Sequence, residues 1–214
     1  MAITTAMATS FKQQLFRGQH VLQAPATFTA TTANTNAGLT GVSSVVGLTP
    51  GMPITGAGIP ATTVIASIDS ASTLTMSKAA TASASITVTP TSPGTPKLAL
   101  YTSAAALDAT TTSYAVGAPS GEASGTNYAA GGNNLSIAAS MPATSGTTAY
   151  LDFVDLIFSN VTVTARGCMI YNPYAGLNRT ISVHDFGSDK QATAGDFTIV
   201  FPTPDATNAI LRLT

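Results

Sequence analysis

From residue 97 onward, apolar and polar positions alternate in short runs. Val161, Val163 and Ala165 alternate with Thr162, Thr164 and Arg166, the period-two pattern of a strand buried on one face and wet on the other. Leu98 and Leu100 share a face within 97–102, as do Phe197, Ile199 and Phe201, and then Leu211 and Leu213. Residues 150–158 form a strongly apolar run, and Asn160 after it reads as a turn. The stretch 180–186 continues the pattern, with His184, Thr180 and Ser182 on its outer face. Residues 117–134 read as a loop punctuated by Gly121, Gly125, Gly131 and Gly132. One segment reads as helix: 10–19, with Ser10 as N-cap, Phe11 and Leu15 on one face, and Gly18 as the stop.

Residues 25–95 have a different texture. They are rich in Ala, Thr, Ser and Gly and carry no aromatic after Phe28. Short strands are predicted at Val64/Ala66/Ile68, Leu74/Met76 and Ile86/Val88, with turns at 49–51 and 56–60. Three prolines at 90, 93 and 96 mark an exit that cannot be a central strand. The chain thus divides into an N-terminal segment 1–24, an inserted small β module 25–95 and a main domain 96–214. The module's few aliphatic side chains predict that it leans on neighbours for stability. The fold class expected is all-β: an antiparallel β-sandwich or jelly-roll-like main domain, a short N-terminal helix and the inserted module.

Composition narrows the function. Charged residues are 8% of the 214, against about 25% in ordinary soluble domains, so the surface has little electrostatic protection against self-association. The eight Lys and Arg residues are scattered and the net charge is −1, which gives no field for a phosphate backbone. Direct nucleic-acid binding is not expected. Residues 1–10 have no secretory-signal pattern, and no run reaches the ~18–20 apolar residues of a membrane span, so no membrane partner is expected.

Candidate chemistry is sparse. Cys168 is the only cysteine and sits among apolar neighbours, which predicts a buried, unreactive thiol without a paired histidine. His20 and His184 read as capping or surface residues. Asp185 and Asp189 could supply two oxygens to a hard cation, but turn formation accounts for them better. Asp155 interrupts the apolar run 153–157 and must reach a turn or a partner such as Arg166. Asn134, Asn160 and Asn178 open glycosylation-type triplets of the kind a Ser/Thr-rich chain produces by chance. Catalytic, cofactor-binding and metal residues are therefore expected to be none.

Several stretches resemble a family of small virion proteins of tailed bacteriophages: 10–15 (SFKQQL), 97–103 (KLALYTS), 107–114 (LDATTTSY), 122–132 (EASGTNYAAGG), 147–153 (TTAYLDF), 185–190 (DFGSDK) and 195–199 (GDFTI). Residues 51–56, 59–64 and 72–77 resemble small β modules of phage fibre and decoration proteins. The resemblance implies a non-enzymatic virion structural protein, made in the host cytoplasm and located in the virion. A capsid decoration (cement) role is the first expectation, with the major capsid protein and further copies of itself as partners. A tail, neck or fibre component is the alternative. A carbohydrate-binding module or virion hydrolase is weaker, with no Trp and 7% aromatic residues.

Overall fold

The computed structural model describes residues 2–17, 19–20, 22, 25–91, 94–115, 120–174 and 177–214. The predicted helix stop Gly18, linker residues Ser92 and Pro93, and Gly117 lie outside them. The protein is all-β, with one short helix among the described residues. It divides into two compact units: unit 1 is Met1–His20 with Gly94–Thr214, and unit 2 is Val21–Pro93.

Unit 1 opens with β1 (Ala6–Met7) and α1 (Thr9–Phe16). The chain then builds unit 2 from β2 (Phe28–Thr32), β3 (Gly38–Thr40), β4 (Ile54–Thr55), β5 (Ile65–Ile68), β6 (Leu74–Met76) and β7 (Ala84–Pro90). These form one antiparallel sheet in the order β4-β7-β2-β3-β6-β5. A bridge between Pro53 and Val64 joins its two ends. Ile54 N–H donates to Thr63 O at 3.0 Å and Ile65 N–H to Met52 O at 2.9 Å across the same seam. The result is a nearly closed barrel, which leaves few strand edges open.

Inside it lie Leu39, Met52, Ile54, Ile65, Leu74, Met76 and Val88, each at most 2% exposed, ringed by Phe28, Val42, Leu48 and Ile86. Unit 2 therefore has a core of its own, where sparse aliphatics had suggested dependence on neighbours. Closure explains the difference, because every strand contributes its inward side chains to one small volume. Leu74, Met76, Ile86 and Val88 face inward as the alternation predicts. In β5 the buried residue is Ile65, not the predicted set Val64, Ala66 and Ile68. A bulge between Ile65 and Ser67 shifts its register by one residue.

Unit 1 resumes with β8 (Lys97–Tyr101), β9 (Asn133–Asn134), β10 (Ala143–Ser145), β11 (Thr148–Leu151), β12 (Leu156–Asn172), β13 (Arg179–Ile199) and β14 (Leu211–Leu213). One sheet has the order β1-β13-β12-β8-β9 and a second β10-β11-β14. Neighbours within both are antiparallel. β12 and β13 form a long hairpin, paired from Leu156↔Ile199 to Asn172↔Arg179. The expected turn at Asn160 is instead a bulge inside β12, with Asn160 at φ 51° and the ladder resuming at Val161. The break in the apolar run falls between Leu151 and Leu156.

Sequence alternation marks one buried face, but the centre of this sheet is buried on both. Leu98, Ala99, Leu100 and Tyr101 are all inaccessible. Ala99, Tyr101, Met169, Tyr171 and Val183 pack with Ile3, Ala105, Leu107 and Tyr114. Thr180 and Ser182, expected on a wet face beside His184, are at most 1% exposed. The helix is also displaced from expectation. Ser10 lies within α1, and Ala8 stands at the cap position without a side-chain bond. The Ser10 hydroxyl is buried with no hydrogen-bond partner, while Phe11 is the helix residue fully inside.

The chain leaves unit 1 after His20 and re-enters at Gly94, and both residues lie against Asn172 at the end of β12. His20 Nδ1 is 3.4 Å from Asn172 Nδ2, and a Cβ on Gly94 would stand 2.5 Å from Asn172 Oδ1. Replacing residues 21–93 with a short Gly/Ser linker should accordingly leave unit 1 folded. Calorimetry of that variant should give one cooperative transition, and a broad, non-cooperative melt would contradict the division into units.

Candidate functional site

The densest polar cluster is buried in unit 1 around Glu122, the chain's only glutamate, which is 6% exposed. Tyr114 Oη donates to its Oε2 at 2.8 Å, and Tyr128 Oη to Oε1 at 3.2 Å. Gly131 N–H donates to Oε1 at 2.6 Å. Tyr128 Oη also accepts from Leu100 N–H at 2.8 Å, tying the cluster to β8. Tyr171 Oη donates to Gly131 O at 2.8 Å, and its ring stacks on Tyr114 with centroids 4.5 Å apart.

Gly131 and Gly132 both take positive φ, 87° and 65°, and a Cβ on Gly132 would collide with the Leu98 carbonyl. Only glycine lets the loop approach β8 this closely. Burial first, then the hydrogen bond to Glu122 and its charge, hold the Tyr114 phenol above its ordinary value; burial and the Glu122 charge do the same at Tyr171, to about 12. These phenols remain protonated donors. The cluster is a polar anchor that fastens residues 120–132 to the sheet, since buried charge demands such partners. No spacing in the sequence announces it: its members come from four separated segments.

The other candidates are likewise engaged. The register places His184 directly across from Cys168, so the thiol does have the histidine neighbour that the sequence did not reveal. Burial opposes the charged form of both members. Burial pushes the Cys168 thiol up to about 12, where a reactive thiol would be depressed. Burial holds His184 down at about 4, and its Nε2 lies 2.9 Å from Ser182 Oγ. His20 is also held to about 4, by burial and then by Arg179. It meets Gln14 Oε1 at 2.7 Å and Phe11 edge to face at 4.7 Å.

Asp155 meets neither a turn nor Arg166: its Oδ1 accepts from Phe201 N–H, just past β13, at 2.9 Å. Arg166 pairs instead with Asp185, Nε to Oδ1 2.7 Å, and that oxygen also takes Gly187 N–H at 3.0 Å. Asp189 is exposed beside them. Among the described residues no three His, Cys, Asp or Glu side chains are grouped to hold a metal. Asp152, fully buried, accepts from Phe153 N–H at 2.8 Å and Ile210 N–H at 3.3 Å.

One surface feature stands apart. A cleft of about 450 Å³ follows β13, lined by Phe186, Lys190, Gln191 and residues 196–200. Val200 is 73% exposed beside it, and Ile157, paired with Thr198 on the same face, is 50% exposed.

No protein-family model, curated protein or solved structure matches this chain.

Two measurements probe these assignments. Tyr114→Phe removes one donor from Glu122 and should destabilise unit 1 by about 1–3 kcal/mol, read as a shifted denaturation midpoint; an unchanged midpoint would deny the anchor its role. Protonation gives the second. An unfolded histidine takes its proton near 6.5, while His20 and His184 wait until about 4. The unfolded chain binds more protons across that window, so their contribution to stability is complete above pH 6.5 and is lost as pH falls towards 4. His184→Gln should flatten the slope of stability against pH between these limits, measured by urea titration at several pH values.

Proposed function

We propose that this protein is a structural component of a tailed-bacteriophage virion, acting as a capsid decoration (cement) protein on the major capsid protein lattice. The observation that carries the reading is how polar side chains are used. Glu122, Asp152, Asp155, Asp185, His20 and His184 all make internal bonds that fix loops and strand ends. Such a molecule works by shape and surface contact. The resemblance of segments 97–103, 122–132 and 185–190 to phage virion proteins supplies the setting, and the sparse surface charge suits close packing in an assembly.

A tail, neck or fibre component is the second reading. The closed barrel of unit 2 favours it, because a module with its own core can be carried on any such base. Particles lacking this protein separate the two. Under the cement reading they assemble but release DNA at a lower temperature than complete particles, followed by dye access during heating. Heads of unchanged heat resistance together with missing or defective tails would overturn the cement role in favour of the tail component.

A further inference from the structure

His20 closes the N-terminal segment of unit 1 and sits where three elements meet. Phe11, edge to face on its ring, and Gln14 come from α1, Asn172 from the end of β12 and Arg179 from the start of β13. Asn172 is 1% exposed, and the orientation of its amide is fixed because Oδ1 accepts from Tyr174 N–H at 3.0 Å. Its Nδ2 donor therefore faces His20 Nδ1, 3.4 Å away. Nδ1 must then be the bare, accepting nitrogen, which puts the ring proton on Nε2. Nε2–H donates to Gln14 Oε1 at 2.7 Å. Both nitrogens of the neutral ring are satisfied. A second proton would find no acceptor, because it would point at the hydrogens of the Asn172 amide.

The surrounding charge opposes that proton as well. Arg179 acts on the ring from β13 while its guanidinium donates to Gln19 O at 3.1 Å. α1 carries Lys12 and is followed by Arg17, both exposed. No carboxylate lies within ion-pair distance of His20 among the described residues. Nearby, Tyr171 directs its Oη to Gly131 O, and Tyr174 supplies its backbone N–H to Asn172.

We propose that this cluster is an acid-sensitive latch: the neutral His20 ring fastens the last turn of α1, and the residues that follow it, to the adjoining ends of β12 and β13, and protonation releases them. The start of the helix is tied separately, by Ala8 N–H to Ile181 O at 3.0 Å and Thr9 N–H to Ala109 O at 2.8 Å. Its far end depends on the ring. An eight-residue helix does not sustain itself in water, so losing the Gln14 and Phe11 contacts lets that end fray.

Burial first, and Arg179 after it, hold the closed ring at about 4, whereas a released ring takes its proton near 6.5. The open form binds more protons across that window. The latch is therefore at full strength above pH 6.5 and is lost as pH falls towards 4. Between pH 7 and pH 4 the opening equilibrium should rise about a hundredfold.

The test uses the purified full chain and does not depend on the virion reading. NMR of the protein carrying isotope-labelled histidine should show His20 as the Nε2–H tautomer at neutral pH, titrating near 4, with His184→Gln assigning the signal. Hydrogen exchange, corrected for its intrinsic pH dependence, should show the hundredfold rise at the Arg17 and Gln19 amides, which both bond to Gln14 O. His20→Gln, which cannot titrate, should abolish that pH dependence. His20 titrating near 6.5, an Nδ1–H tautomer, exchange at these amides indifferent to pH, or the same rise in His20→Gln would each overturn the proposal.

Discussion

The ladder between β12 and β13 is the constraint on which unit 1 depends. Its inner half supports β8 on one side and β1 on the other, while α1 contacts β13. β9 is attached through β8, while β10, β11 and β14 form a separate ladder. The loop 120–132 runs along it, bridging Thr126 to Thr162 and packing Tyr128 against Phe158 at 5.5 Å. Because side chains alternate with period two, a slip of one residue would turn Val161, Val163 and Ala165 outward. The bulges at Asn160 and between Ala165 and Gly167 sit at fixed places in the ladder, and they set which half of the hairpin bends where.

Polar interior groups then determine how the loops lie. Unit 1 buries Glu122 and Asp152, and each is met by donors from loops that would otherwise be free to wander. Ordering a loop costs about 1–2 kcal/mol per residue in backbone entropy, so such anchors matter most where no ladder exists. Unit 2 relies on a different device. It has no buried carboxylate among the described residues; Thr32 and Thr63 close their own backbone contacts, to Ala84 O at 3.2 Å and Pro60 O at 2.6 Å.

What could be read from the sequence followed from how local each feature is. The half-buried strand 161–166 was legible because one face is wet, and Leu74, Met76, Ile86 and Val88 for the same reason. β8 and residues 180–183 were only half legible, since a strand buried on both faces does not alternate. The position of Ile65 was lost to a bulge, and Ser10 to a helix whose cap stands two residues earlier, at Ala8. Pairings such as Cys168 with His184, or Tyr114 with Glu122 and Tyr171, depend on register and loop path. These are long-range outcomes that no local spacing encodes.

The meeting of His20 and Gly94 at Asn172 has a mechanical consequence. One side chain at the end of β12 thus lies against both the residue from which the chain leaves unit 1 and the residue at which it returns, so Asn172 fastens the two crossing points to the same strand.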